Sequence, residues 1–113
     1  MNKAQRNKNP LNLRFAGQHE ATGKDDSGFA VFPTDAAGWR AAHAQIELDQ
    51  GRELDITEFI FKFAPPNEND TLNYLNFVLA ELGTHSLMKL RDISKFALAG
   101  VMAAMEGYYK KED

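Results

Sequence analysis

Residues 55–83 read DITEFIFKFAPPNENDTLNYLNFVLAELG, and this stretch predicts two helices joined by a rigid corner. Asp55 and Glu58 have the spacing of a capping box, with Asp55 in the place usually held by Ser or Thr. Ile56, Phe59, Ile60 and Phe63 then recur at the spacing of one helix face. Pro65-Pro66 ends that helix, because proline lacks the amide donor and restricts the residue before it. Asn69 or Asp70 caps the next helix. Leu72, Leu75, Val78, Leu79 and Leu82 repeat along it until Gly83 closes it.

Working outward, the same signals extend the helical pattern to everything after Pro33. Thr34 caps a helix with Asp35 in its first turn, and Trp39, Ala42 and Ile46 share a face before Gly51. Asp92 is expected to open the last helix, which buries Ile93, Phe96, Ala97, Val101, Ala104 and Met105 and stops near Gly107. Before Pro33 the pattern is extended. Asn9-Pro10 initiates a turn, Leu11, Leu13 and Phe15 alternate as in a strand, and residues 29–32 form a second strand. The polar loop from Ala16 to Gly28 would join them as a hairpin. The expectation is a mainly α (α+β) domain over residues 9–113, with about four helices and a short N-terminal hairpin, preceded by a flexible basic arm over 1–8. Its core should be built from Trp39, Ile46, Phe59, Ile60, Phe63, Leu75, Val78, Leu79, Leu82, Ile93, Phe96 and Val101.

Composition removes several classes of function. The 113 residues suffice for one core and not for two, and 43% hydrophobic with 26% charged residues is an ordinary globular balance. With no cysteine, disulfide scaffolds, thiolate metal sites and cysteine nucleophiles are excluded. No apolar run approaches the length of a membrane span, and MNKAQRNKNP at the start has no apolar segment of a secretory signal. Synthesis in a cytoplasm, without export by a signal of its own, is therefore expected. Residues 1–14 hold Lys3, Arg6, Lys8 and Arg14 and no acid, whereas the remaining 99 residues hold 9 basic and 16 acidic side chains. An acidic body argues against nucleic acid, which needs a basic face, and the basic arm reads as plain solvation. His19, His43 and His85 are scattered, so no metal site and no cofactor is expected.

Carboxylates are the remaining candidates for chemistry. Asp35, Asp70 and Asp92 are explained as helix starts. Glu47, Asp49, Glu53, Asp55 and Glu58 surround a helix–helix turn and read as a solvated face. Glu20 lies in the hairpin loop, where function often resides. Glu106 stands apart, since it ends the apolar helix ALAGVMAAME beside Gly107, Tyr108 and Tyr109. A carboxyl group at the negative end of a helix dipole and among apolar neighbours is favoured in its protonated form. That form is the one needed to protonate a glycosidic oxygen. Spacing alone favours the plainer reading, an exposed Glu on a frayed last turn.

One segment carries a family likeness. Phe63-Ala64-Pro65-Pro66-Asn67-Glu68-Asn69-Asp70-Thr71, followed by Leu72-Asn73-Tyr74, is the specific part. It is accompanied in order by Asn9-Pro10-Leu11-Asn12-Leu13-Arg14, Gly28-Phe29-Ala30-Val31-Phe32, Gly38-Trp39-Arg40-Ala41 and Met105-Glu106-Gly107. Over residues 9–107 the sequence resembles a group of bacteriophage virion-associated proteins related to lysozymes and lytic transglycosylases. The resemblance implies a lysozyme-like core, in which a Glu-ending helix that comes early in transglycosylases comes last here, as in a circular permutation. It departs from the family pattern at Leu11, where glycine is usual, and at Met105 before the Glu, where histidine is usual.

The resemblance further implies cleavage of the glycan strands of peptidoglycan, between N-acetylmuramic acid and N-acetylglucosamine. Glu106 would act as acid and then base, with Glu20 in reserve. Asn69, Asp70, Tyr74 and Tyr108 would bind substrate, and the sugar's own groups would replace a second carboxylate. The alternative is a non-catalytic phage virion protein that keeps the fold and partners other virion proteins or itself. A cytoplasmic interaction domain unrelated to cell walls is the third reading. A groove with Glu106 at its floor and Trp39, Tyr74 and Tyr108 along its sides would favour the first. The chain would then work in the virion or at the periplasmic cell wall.

Overall fold

A computed structural model describes residues 1–111 and contains five α-helices and one two-stranded antiparallel sheet. The helices are α1 (Lys3–Arg6), α2 (Asp35–Gln50), α3 (Ile56–Phe63), α4 (Thr71–Leu82) and α5 (Lys95–Met105), with a 3-10 turn at Leu90–Asp92 before the last. The strands are β1 (Gly23–Lys24) and β2 (Ala30–Val31), with Gly23 opposite Val31 and Lys24 opposite Ala30. The mainly helical α+β domain read from the sequence is the observed one. No helix among the described residues is long and apolar enough to cross a membrane.

Local chemistry starts the three central helices where the sequence predicts. Thr34 accepts from the Ala37 amide, Asp55 and Glu58 form a complete capping box, and Asp70 accepts from the Asn73 amide. Gly83 closes α4 with φ +63°, a left-handed conformation that costs glycine little. The core cluster joins α2, α3, α4 and α5 through Ile46, Ile56, Phe59, Ile60, Val78, Leu98 and Met102, none more than 1% exposed. Leu11 and Leu90, both at 0%, join it from the segments between helices.

Four features differ from expectation. The last helix is capped by Ser94, which accepts from the Ala97 amide, while Asp92 belongs to the 3-10 turn before it. Phe96 is 64% exposed, and the buried face of α5 is Leu98, Ala99, Met102 and Ala103. ALAGVMAAM is apolar on every side, so periodicity alone cannot orient it. The second strand forms where expected, within residues 29–32, but its regular partner β1 lies inside the expected loop, because Asp25 accepts from the Ser27 and Phe29 amides and makes the turn there. The 11–15 segment does pair with 28–30 as expected, but only through one antiparallel bridge of Arg14 with Phe29, flanked by the bonds from the Ala30 amide to the Leu13 carbonyl and from the Phe15 amide to the Gly28 carbonyl.

The fourth difference is the N-terminal arm. Residues 3–6 form α1, with an Asn2–Gln5 capping box and Ala4 buried. Asn2 Nδ2 donates to the Gly107 carbonyl at 2.7 Å, and Gln5 Nε2 donates to the Tyr108 carbonyl at 3.1 Å. The first turn of the chain thus docks on the end of α5. The turn that follows is stapled by Asn9, fully buried, whose Nδ2 donates to the Leu13 and Ala30 carbonyls and whose Oδ1 accepts from the Leu13 amide, each at 2.9 Å. Every polar atom of that side chain is satisfied, as burial requires.

Candidate functional site

A groove of about 610 Å³ runs between the 11–14 segment, Phe29 and the corner that joins α3 to α4. Three parts of the chain converge on Glu106 in its wall. Glu106 is the C-terminal cap of α5, and Gly107 follows at φ +86°, which turns the chain away and leaves the carboxylate facing the groove. From α4, the buried Tyr74 hydroxyl donates to Glu106 Oε2 at 2.8 Å. From the 9–12 turn, Asn12 Nδ2 donates to Glu106 Oε1 at 2.9 Å. Both carboxyl oxygens therefore have a partner 32 or 94 residues away in sequence.

Asn12 takes φ +51°, a left-handed backbone that asparagine tolerates better than most residues. Its Oδ1 is buried and has no hydrogen-bond partner among the described residues. Unmet acceptors of this kind and backbones of this kind cost free energy and concentrate at functional sites. Tyr74 holds its own proton firmly: burial first, then the charge and hydrogen bond of Glu106, push the phenol far above its ordinary range. It is a hydrogen-bond partner to Glu106 and not a competing acid.

The rest of the groove mixes charged and polar side chains with apolar ones such as Leu13, Phe29 and Phe63. Asn69 lines it from the corner, where its Nδ2 donates to the Pro65 carbonyl at 3.2 Å. Thr71 braces the same corner through a buried bond to the Ala64 carbonyl at 2.5 Å. Arg14 reaches Glu68 at 3.5 Å, and both line the groove. Lys62 and Gln45 are held in the wall by Asp49, which is 1% exposed and accepts from Lys62, Gln45 and Arg52. Burial opposes the Asp49 charge, but the Lys62, Gln45 and Arg52 donors outweigh it and hold the carboxyl below its usual range.

The residues singled out from the sequence divide into two groups. Glu106 and Asn69 line the groove, and the buried Tyr74 meets it only through its bond to Glu106, so the aromatic sides expected from Trp39, Tyr74 and Tyr108 are not part of its lining. Asp70 caps α4, and neither it nor Tyr108 lines the groove. Tyr108 donates to Asp35 at 2.5 Å and packs edge-on against Trp39, in a separate aromatic group with Tyr109, His43 and Phe96. Burial and the Asp35 bond push its phenol up to about 12. Glu20 lies beside a second hollow, bound at both oxygens by Arg40 at 2.6 and 2.7 Å, which holds the carboxyl below its ordinary range. No three His, Cys, Asp or Glu side chains among the described residues are grouped to hold a metal ion.

Asn12 was not among the residues the sequence put forward. Its only local signal is position, four residues into an Asn-Pro turn and two before a basic residue, which fits many loops. Lys3 and Arg14, read as solvation, also line the groove.

No protein-family model matches the chain. Among characterised proteins, the sequence is 35% identical over 112 residues to Protein P5 of Pseudoalteromonas phage PM2, an alignment that covers 89% of this chain and 68% of that protein.

Proposed function

The chain belongs to the family of Protein P5 of Pseudoalteromonas phage PM2, and we propose that it is a phage-particle protein that binds and cleaves peptidoglycan glycan strands. The observation that carries this reading is the Glu106 carboxyl, set in the groove with Asn12 and Tyr74 hydrogen-bonded to its two oxygens. A lysozyme-like core in permuted order belongs to the same reading.

In the proposed reaction the protonated Glu106 gives its proton to the glycosidic oxygen as the bond to C1 breaks. The N-acetyl oxygen of the same sugar attacks C1, so no second carboxylate is required. The resulting glutamate then takes a proton from the hydroxyl that displaces the acetamido oxygen. Tyr74 donates to Oε2 and so serves the second half of this cycle, when Glu106 is a carboxylate. Asn12 stabilises the carboxylate after transfer. Asn69, at the groove edge, would hydrogen-bond the sugar.

The test is the turbidity of a cell-wall suspension between pH 5 and 8 with the purified chain and with Glu106→Gln, which keeps the shape and removes the proton donor. Clearing by the native chain and none by the folded variant is expected. No clearing by the native chain anywhere in that range would refute cleavage. The second reading, a non-catalytic building block of the particle, is favoured by the large apolar side chains left uncovered at Leu72, Leu87, Phe96 and Tyr109, all above half exposed.

A further inference from the structure

The groove carries a charge pattern that general acid chemistry does not use. Lys62 in its wall is neutralised by Asp49 at 3.0 Å. Lys3 and Arg14 are not neutralised in this way. The Lys3 ammonium lies 3.6 Å from the centre of the Phe29 ring, and the Arg14 guanidinium 4.7 Å from the same centre. Lys3 makes no ion pair with another described residue. Arg14 has only the 3.5 Å contact with Glu68, between side chains 60% and 52% exposed, which solvent largely screens.

Lys3 is also not a free tail residue. The turn that bears it is capped by Asn2 and Gln5 and tied to the Gly107 and Tyr108 carbonyls, the backbone immediately after Glu106. Lys3 is thus held near Glu106, and Arg14, whose backbone bridges Phe29, shares the groove with Lys3, Glu68 and Glu106. An aromatic face beneath a cation attracts it and orients it, while its outward N–H groups stay available. Lysine and arginine differ in form, a point charge and a planar fork, and both suit a carboxylate.

We infer that Lys3 and Arg14, seated on Phe29, form a subsite for a carboxylate carried by the glycan, so that the groove prefers an acidic sugar chain to a neutral one. The inference rests on the glycan reading above and adds its substrate class. Asn12 and Glu106 meet the sugar at the scissile bond, and the cation pair reads the acidic substituent of a neighbouring ring.

The experiment is calorimetric titration of the whole chain in the Glu106→Gln background, which prevents turnover. Two probes are compared: peptide-free glycan strands with free muramic carboxyls, and the same strands with those carboxyls reduced to alcohols. The carboxylated strand should bind about tenfold more tightly, the scale of one charge-assisted hydrogen bond. Lys3→Met with Arg14→Gln should bring the ratio to about one while leaving affinity for the reduced strand and the melting temperature unchanged. A ratio near one in the parent, or a preference that survives the double variant, overturns the subsite. Equal capture of double-stranded DNA also overturns it, as the mark of a general cation patch. The parent ratio decides even if the double variant fails to fold. Binding of both strands alike removes only the preference, whereas binding of neither removes the glycan reading and the preference together.

Discussion

Gly38→Ala is a severe test of how the N-terminal turn is seated, because the added methyl has nowhere to go. Gly38 is buried in α2, and a Cβ built on it would lie 1.9 Å from the Lys8 carbonyl oxygen and 2.9 Å from Pro10 Cδ. A carbon and a carbonyl oxygen ordinarily approach no closer than about 3.3 Å, so the Lys8 carbonyl has to withdraw by roughly 1.4 Å from its 1.9 Å contact. It is not free to do so. The Asn9 amide donates to Ala4, the Phe32 amide donates to Asn7, and the Asn9 side chain holds Leu13 and Ala30. Overpacking of this kind costs about 1–3 kcal/mol, and each buried bond lost adds about 1. The better helix propensity of alanine returns about 1 kcal/mol.

The net loss expected is therefore about 2–4 kcal/mol. For a domain of this size each kcal/mol moves the midpoint by about 4–5 °C, so thermal melts followed by circular dichroism should fall by about 8–20 °C. Gly100→Ala is the matched control, since α5 has open space there and a Cβ meets nothing within 4 Å. That change should be neutral or stabilise by up to about 1 kcal/mol. A Gly38→Ala protein within about 1 kcal/mol of the parent, or indistinguishable from the control, would mean that the 8–10 turn does not rest on α2.

Two further outcomes are expected. Leu98→Ala, at a fully buried position, should cost about 2–5 kcal/mol in urea unfolding, whereas Phe96→Ala, at a position 64% exposed, should cost under about 1; the reverse order would mean α5 is rotated about its axis. His43 lies between Trp39 and Phe96, and burial first, then the nearby Lys95 charge, hold its imidazole below its ordinary range. The unfolded chain therefore takes up that proton first, so the His43 contribution is intact above about pH 6.5 and is lost as the pH falls below it. Urea midpoints at pH 7.5 and 5.5 should diverge less in His43→Gln than in the parent, and equal divergence would rule the assignment out.

What the sequence made legible follows the range of the interactions involved. Thr34, Asp55, Glu58, Asp70 and Gly83 mark helix ends through bonds that span three or four residues, and all five act where they were read. The first turn was misread because its local capping box, Asn2 with Gln5, stands without an apolar stripe, and the bonds that seat it are not local. Asn2 and Gln5 meet Gly107 and Tyr108 more than 100 residues on, and no pattern in MNKAQRNKNP announces that. Asn9 reads locally as a turn initiator, but its structural weight lies in the Ala30 carbonyl 21 residues away. The face of α5 was misassigned for a different reason: a helix apolar all round offers several equivalent stripes, and only the partners on α2 and α4 choose one.

The groove follows the same rule. Glu106 could be singled out because a carboxylate ending an apolar helix violates a local preference, and such violations tend to sit at functional positions. Its partners broke no local rule, and only the family likeness put Tyr74 forward, as a substrate-binding residue and not as a partner of Glu106. Tyr74 reads as one more large residue on α4, although its hydroxyl meets Glu106, and Asn12 reads as loop, although its left-handed backbone aims Nδ2 at the same carboxyl. The chain also brings its two ends together here, since α1 binds the carbonyls of residues 107 and 108 just past the carboxylate. That contact does two jobs. It ties down the segment that leaves α5 through the Gly107 and Tyr108 carbonyls, and it sets Lys3 beside Phe29 in the groove. A short polar segment with no core of its own is thereby held by the same backbone that presents Glu106, which links the stability of that turn to the geometry of the site.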